Sequence, residues 1–503
     1  MFASKWKILS GIGVDTIGSI ISIVVGFIVV PYFFDYISKG QYGLWLTING
    51  LVALISVVDI GTDQYLTTIV ADDKVFYSTD IGHHILSTLY IKIAIASIIA
   101  ASGYIIYLFI SEIIVIDSLS LELVKKTYLI TLGALVFTLF LGTISTLLYG
   151  RQHFSLVSGL AAMSGIVASI GTIFFLALGY SISAFPLALL VAAIIQCVIL
   201  SYFLLKRYPH IKLTLHNFKF QNKKEMISYS ASFQILRWAH TLRTQFVVIA
   251  INNWVGPIAA ASYNLTYRLP QAVTVFSSKI ALPFFPTFSQ YFVNGEVEQA
   301  RIVFLKVNKL LFRFSLFSAI VCLVLTKSFV SLWVGLNSFA GDSVLLILCF
   351  YIFVLSAMGS FGIVIYSSKK FEKWTIVSFL EIVFAIILSY ALSRDFDLLG
   401  IVAGFTLAAM TSQVYLFRIV IRQLQLSLFE FVTKVIMYAI VTNISTMLTA
   451  LFILLFYEIS GWGELMATCL TIALLHVLSR EGVLLLMSRE STFKSKLRSV
   501  LKL

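Results

Sequence analysis

The chain of 503 residues is poor in charge and in residues that crosslink or ligate. Charged side chains make up 12% of it, about half of the share found in soluble domains. All of its cysteines fall in apolar stretches without paired spacing, so neither a disulfide framework nor a zinc site is indicated. They are Cys197, Cys322, Cys349 and Cys469. The histidines are scattered, and we expect no metal site.

Features of an enzyme are also missing. The sequence contains no GxxxxGK[ST] loop, so the chain is not expected to hydrolyse a nucleotide. No catalytic group is indicated, and the longest predicted outside link, about 111–126, is short for a glycan polymerase or ligase. We therefore predict a protein that is not an enzyme and needs no cofactor. Its energy would come from a proton or sodium gradient, the membrane potential or the substrate's own gradient.

Long apolar runs fill the chain instead. Hydrophobic residues make up 59% of it, and the mean hydropathy is +0.98. A helix needs about 20 apolar residues to cross a bilayer, and about fourteen stretches reach that length. They fall near 8–36, 42–69, 85–110, 127–149, 155–180, 182–205, 229–251, 258–291, 309–333, 343–366, 375–393, 398–417, 435–457 and 465–487. The prediction is an all-α membrane protein of about fourteen transmembrane helices.

The distribution of basic residues predicts the orientation. The net charge is +13, and most Lys and Arg fall on one side if both termini are cytoplasmic, as the positive-inside rule requires. The strongest contributors are the link 206–228, the link with Lys369, Lys370 and Lys373, and the tail from Arg480. This pattern explains the positive charge without nucleic acid as a partner. The first apolar run is too long for a signal peptide and is taken as the first span.

Weak similarities at one offset of about 220 residues indicate an internal repeat. The sequence YGRQHF from Tyr149 resembles YSSKKF from Tyr366, and GQYG from Gly40 pairs with ASYN from Ala261. The predicted organisation is an N-lobe of six spans (1–205), a basic cytoplasmic linker (206–228) and a pseudo-symmetric C-lobe of six spans (229–420). Spans 13 and 14 with a basic tail (421–503) complete the chain. A transport path would run between the lobes.

Cationic side chains lie inside the seventh and eighth spans, although a charge costs about 2.5 to 3.5 kcal/mol at a span centre. On the eighth span, Arg268 and Lys279 lie eleven residues apart and share a helical face. A wet cavity suited to an anion would explain them. The alternative, that Arg237 and Lys279 snorkel to the interface, stays open. The predicted binding residues are Arg237, His240, Arg243, Asn264, Arg268, Gln271 and Lys279.

Acidic residues lie within the first lobe. Asp15 belongs to a stripe of small residues on the first span, which is typical of a helix contact face. Asp59 and Asp63 lie one turn apart on the second span, and Lys92 lies on the third. These four residues could form ion pairs that hold the lobe together or could carry a coupling proton or sodium ion; both interpretations stay open.

The sequence GQYGLW from Gly40 to Trp45, followed by Asp59-Ile60-Gly61, resembles the second-span pattern of the polysaccharide transporter family. This family comprises the O-antigen-type flippases of the multidrug/oligosaccharidyl-lipid/polysaccharide exporter superfamily. The length, the number of spans and the basic link from Tyr149 to Phe154 fit the resemblance over the whole chain. Thr62 and Asp63 follow the motif where the family often has an apolar residue.

The resemblance implies a flippase that moves undecaprenyl-pyrophosphate-linked oligosaccharide repeat units across the bacterial inner membrane by alternating access. It implies a lipid-linked oligosaccharide as substrate, with the polysaccharide polymerase and chain-length machinery as possible partners. Three alternatives remain: a multidrug exporter, a lipid II flippase, and a membrane glycan polymerase or ligase. An arginine-rich wall counts against an exporter of organic cations, and the lack of a large outside loop counts against the enzyme.

Overall fold

A computed structural model describes residues 2–78, 80–116, 119–211, 223–368 and 372–478. All regular elements in these ranges are helical. Within the described ranges, ten helices are long and apolar enough to cross a bilayer, so the protein is a multi-pass membrane protein. The predicted all-α class is therefore confirmed, while the count of fourteen spans and the cytoplasmic termini stay predictions. The basic tail from residue 480 and the side chains of Lys369, Lys370 and Lys373 lie outside the described residues.

The contacts divide the chain into two compact units, Met1–Ala261 and Ser262–Leu503. The helices of the first unit, the last of which continues into the second, are α1 (Phe2–Phe33), α2 (Lys39–Ile55), α3 (Thr62–Ala71), α4 (Asp73–Phe76), α5 (Ile81–Leu108), α6 (Ile110–Ile113), α7 (Leu121–Gly150), α8 (Phe154–Ala177), α9 (Ala184–Arg207), α10 (Lys223–Trp254) and α11 (Pro257–Ala281). Those of the second unit are α12 (Phe285–Asn294), α13 (Val297–Val334), α14 (Asp342–Ala357), α15 (Gly359–Ser367), α16 (Glu372–Gln423), α17 (Leu428–Phe431), α18 (Met437–Phe456) and α19 (Trp462–Leu478).

The predicted seventh span, α10, packs within the first unit. It contacts α2 and α3, and the amide oxygen of Gln245 lies 3.5 Å from where a side chain at Gly50 would begin. A Cβ atom at Gly43 would collide with the carbonyl oxygen of Pro257. Gly43 thus permits a close approach of two backbones, which explains a glycine in the GQYGLW sequence. The division into lobes at the 206–228 link stays a prediction.

The other residues of GQYGLW start and anchor α2. Ser38 and Gln41 form a capping box, in which the Gln41 amide donates to the Ser38 hydroxyl and the Ser38 amide donates to the Gln41 side chain. This arrangement satisfies two donors at the helix start. Trp45 stacks on Phe185, with ring centres 5.1 Å apart. Phe33 contacts the same Phe185 ring edge-to-face, with ring centres 5.0 Å apart. The motif therefore has a structural function in this chain.

The helix α16 contains two helices that fold back on each other. Asp397 has φ +45° and ψ −126°, which interrupts the helix. The Ser389 hydroxyl donates to the carbonyl of Ile401 at 3.0 Å, although twelve residues of straight helix would separate them by about 18 Å. A Cβ atom at Gly404 would lie 2.5 Å from the backbone nitrogen of Ser389. The break at Asp397 coincides with the predicted division between spans 11 and 12.

Candidate functional site

The predicted second span, 42–69, is broken at Asp59-Ile60-Gly61. The helix α2 ends at Ile55 and a short 3₁₀ turn continues to Val58. The Asp59 carboxylate accepts a hydrogen bond from the Gly61 amide at 3.0 Å, and Gly61 has φ +74°, a conformation that glycine adopts without strain. The chain then re-enters a helix at Thr62. Hydropathy alone does not detect this break, because both halves are apolar.

A buried ion pair lies directly after the break. The ammonium of Lys92, on α5, donates to Asp63 Oδ1 at 2.7 Å and to the carbonyl oxygen of Leu139 at 2.7 Å. The Lys92 side chain is fully buried, whereas that of Asp63 is 28% exposed. The ion pair therefore connects α3, α5 and α7, and its accessible member is the carboxylate. An ion pair in this position can hold the three helices together or carry a coupling ion.

Two residues of α7 shape the surroundings of this pair. A Cβ atom at Gly142 would lie 2.8 Å from Asp63 Oδ2 and 3.3 Å from Lys92 Nζ. The Thr146 hydroxyl also hydrogen-bonds Asp63. The absence of a side chain at Gly142 thus leaves room for the ion pair. Sequence reasoning did not identify either residue, since a glycine and a threonine in an apolar helix carry no signal of a nearby charge.

The other predicted acidic residues have different environments. Asp59 is bound within its own turn, and its backbone carbonyl accepts a hydrogen bond from the indole of Trp238 at 3.2 Å. Asp15 is exposed on α1, which packs against α8. A Cβ atom at Gly18 would lie 2.8 Å from Cβ of Ala162 on α8. The stripe of small residues on α1 is therefore a helix contact face, and an ion-coupling role of Asp15 stays a prediction.

The cationic residues of the seventh span belong to α10. Arg243 is half-buried there. Arg237 and His240 belong to the same helix, but their side chains lie outside the described residues. Trp238, which sequence reasoning missed, connects α10 to the break at Asp59. Arg243 lies in the first unit, whereas Arg268 and Lys279 lie in the second.

The polar residues of the eighth span share one face of α11, as predicted. Asn264, Arg268, Gln271 and Lys279 are exposed or half-buried, and their spacing keeps them within a narrow arc. Arg268 and Lys279 are about 16 Å apart along the axis at 1.5 Å per residue. The Arg268 guanidinium lies 5.8 Å from the ring centre of Trp333, within the range of a cation–π contact. Trp333 thus supplies an aromatic neighbour to the Arg268 guanidinium.

The opposite face of α11 packs through small polar residues. The Thr266 hydroxyl accepts a hydrogen bond from the Ala340 amide at 2.9 Å, and the Ser277 hydroxyl donates to the Ser356 carbonyl at 2.7 Å. Thr266 and Ser277 are almost fully buried. The helix is therefore fixed along one side and presents Arg268 and Lys279 on the other. Such a face can bind an anion such as a phosphate through charge-assisted hydrogen bonds.

Comparison with known proteins identifies one matching family. The family model described as "Polysaccharide biosynthesis protein" matches residues 8–292. No functionally curated sequence is similar enough to match.

Several solved transporters have a similar fold. The lipid II flippase MurJ in an inward closed conformation has a TM-score of 0.69 and 13% identity, covering 93% of this chain and 97% of its own. An inward-facing multidrug resistance MATE family transporter of the MOP superfamily has a TM-score of 0.64 and 15% identity, covering 82% of this chain and 98% of its own. A MOP superfamily transporter from Pyrococcus furiosus has a TM-score of 0.58 and 16% identity, covering 82% of this chain and 95% of its own.

At these identities the structural matches show the fold alone, which this chain shares with MurJ and with the MATE family transporter. The sequence match covers more than half of the chain and is independent of them. The chain therefore belongs to the polysaccharide biosynthesis protein family.

Proposed function

We propose that this protein is a flippase for undecaprenyl-pyrophosphate-linked oligosaccharide repeat units, moving them from the cytoplasmic to the periplasmic leaflet of the bacterial inner membrane. The glycan would be an O-antigen or a similar surface polysaccharide. Such a head group carries many hydroxyls and about two negative charges, so it cannot cross hydrocarbon unaided. The family of the chain and its transporter fold support this proposal.

The single observation that carries the proposal is the cationic face of α11. Arg268 and Lys279 lie on one side of a helix whose other side is packed through Thr266 and Ser277. Arginine binds phosphate through paired hydrogen bonds. We assign Arg243 and Arg268 as the first head-group ligands and Lys279 as the next, with Asn264, Gln271, His240 and Arg237 as polar neighbours. The lipid tail would stay in the bilayer.

Movement would follow alternating access, with lobe 1–205 rocking against lobe 229–420 and a proton or sodium gradient, or the membrane potential, as the energy source. Asp63 is a candidate coupling group, because the Asp63 carboxylate is the accessible member of the ion pair with the buried Lys92. We propose that the chain performs no catalysis of its own. The polymerase and chain-length machinery would receive the translocated units.

The test is complementation of a gene deletion with wild type and with the double variant Arg243→Ala/Arg268→Ala. Each charge-assisted hydrogen bond contributes about 1.5 to 3 kcal/mol, so surface glycan should fall at least about tenfold, with lipid-linked repeat units building up at the cytoplasmic face. The control Lys74→Ala/Lys306→Ala removes the same charge from exposed positions and should export normally. Wild-type export by the double arginine variant would contradict the assignment.

The gene-deletion strain also distinguishes the alternative functions. A lipid II flippase has a specific observation in its favour, the similarity of the fold to MurJ. In that case lipid II, rather than the repeat unit, would build up on depletion, and cell-wall synthesis would stop. Unchanged glycan with new drug sensitivity would indicate a multidrug exporter. Exported but unpolymerised units would indicate an enzyme.

A further inference from the structure

A cleft of about 690 Å³ lies in the second unit, between the ends of α13 and α18 and the start of α14. Its volume is within the range of small-molecule sites. Apolar side chains form its floor, and Val324, Leu345 and Ile453 are the buried ones. Leu346 and Leu454 on its walls are 56% and 53% exposed. The cleft is therefore open on an apolar side, where an acyl chain can lie.

Charged residues form the rim of the same cleft. The Lys327 ammonium lies 2.9 Å from Asp342 Oδ2 and 6.0 Å from the ring centre of Phe339. Glu458 adds a second carboxylate from the segment after α18. Ser328 and Ser331 of α13 also line the cleft, and Ser331 lies one helical turn after Lys327. The rim thus has one ammonium and two carboxylates around an apolar floor.

Aromatic residues indicate the depth of the cleft in the membrane. Phe329 contacts both Trp333 and Trp462, with ring centres 5.3 and 5.9 Å apart, and Tyr457 lies on the cleft wall. Tryptophan and tyrosine concentrate at the level of lipid head groups. The helices α13 and α18 end at this level and α14 begins there. The rim charges are therefore at head-group depth and the floor extends toward the hydrocarbon.

We propose that this cleft binds a zwitterionic phospholipid with a primary amine, of the phosphatidylethanolamine type. Its phosphate would accept hydrogen bonds from Lys327 and the serine hydroxyls, and its ammonium would donate to Asp342 and Glu458. The existing Lys327–Asp342 ion pair is thereby exchanged for a Lys327–phosphate pair and a lipid ammonium shared between two carboxylates, so that the Glu458 carboxylate also gains a cationic partner. An anionic head group would instead bring negative charge next to both carboxylates, and a choline group has no N–H to donate.

The experiment uses the full-length protein purified from mixed vesicles of phosphatidylethanolamine, phosphatidylcholine and phosphatidylglycerol, with the retained lipid measured by native mass spectrometry. We expect the wild type to retain phosphatidylethanolamine about fivefold above its share in the vesicle, the effect of about one exposed ion pair. Asp342→Asn/Glu458→Gln should abolish this preference. The control Asp35→Asn/Glu122→Gln, which removes two exposed carboxylates of the first unit, should keep it.

A second variant addresses the cleft without changing its charge. Ser331→Trp would occupy the space beside Lys327, and Ser331 is only half-buried, so the larger side chain can be accommodated. This variant should lose the retained lipid while its elution and circular dichroism match the wild type. The proposal is overturned if the wild type retains the three lipids in their vesicle proportions, or if both variants retain phosphatidylethanolamine as the wild type does.

Discussion

The ion pair between Lys92 and Asp63 is the clearest electrostatic feature at the scale of single residues. Lys92 is fully buried, and removing one partner of a buried pair leaves an uncompensated charge at a cost of about 3 to 5 kcal/mol. We expect Asp63→Asn to destabilise the protein strongly, and the double variant Asp63→Asn/Lys92→Met to recover most of that loss. Thermal unfolding in detergent, followed by the fluorescence of the tryptophans, measures both effects.

Export by the same variants separates the two interpretations of the pair. If the pair only holds α3 to α5 and α7, glycan export by the double variant recovers together with its stability. If Asp63 carries a coupling ion, the double variant is stable and still fails to export against a gradient. Recovery of both would exclude the coupling role that we propose for Asp63.

Gly142 tests whether the ion pair needs the space beside it. A methyl group there would lie 2.8 Å from Asp63 Oδ2, and overpacking of this kind costs about 1 to 3 kcal/mol. Gly142→Ala should therefore lower the unfolding temperature. Gly133→Ala, on the same helix α7, has no atom within 4 Å of the added methyl, and it should be neutral or stabilising. Equal stability of the two variants would show that Asp63 can move aside freely.

At the scale of elements, the turn within α16 is strained. Asp397 has φ +45° and ψ −126°, a region that is costly for residues with a Cβ atom, by about 1 to 3 kcal/mol. Asp397→Gly should relieve this strain and raise the unfolding temperature. Asp395→Gly, two residues earlier and helical, should lower it, since glycine costs about 1 kcal/mol in a helix. The opposite signs of the two changes distinguish local strain from a general effect of glycine.

Hydropathy predicted where helices lie better than how their backbones break. The first, third to sixth, ninth and tenth predicted spans each correspond to helices that overlap the predicted ranges. The break at Asp59 was not predicted, because it depends on a side chain binding its own backbone and on Gly61 having φ +74°. The common face of Arg268 and Lys279 on α11 could be predicted from helical spacing, because it depends on the geometry of one helix only. The Gly142 and Trp238 contacts depend on neighbouring helices, which periodicity does not reveal.

At the scale of the whole molecule, the turn at Asp397 decides the topology. Ten helices in the described ranges pass as spans when α16 counts as one of them, and α10, α11 and α19 are further candidates. Together these make thirteen spans, an odd number that would leave the termini on opposite sides of the membrane. Counting α16 as two helices gives the predicted fourteen spans, with both termini cytoplasmic and the basic links on the same side.

Single cysteines labelled in intact cells test this topology. On the predicted orientation, cysteines at Asp35, Phe396 and Gly461 should react with a reagent that cannot cross the inner membrane, because each lies at an outer turn. Cysteines at Lys74 and Gln425 should react only after the membrane is opened. Gln425 is the decisive position: if α16 were a single span, Phe396 would lie within hydrocarbon and stay unlabelled, and Gln425 and Lys74 would react from opposite sides. Labelling of Phe396 from outside, with Gln425 protected, would establish that the chain reverses at Asp397.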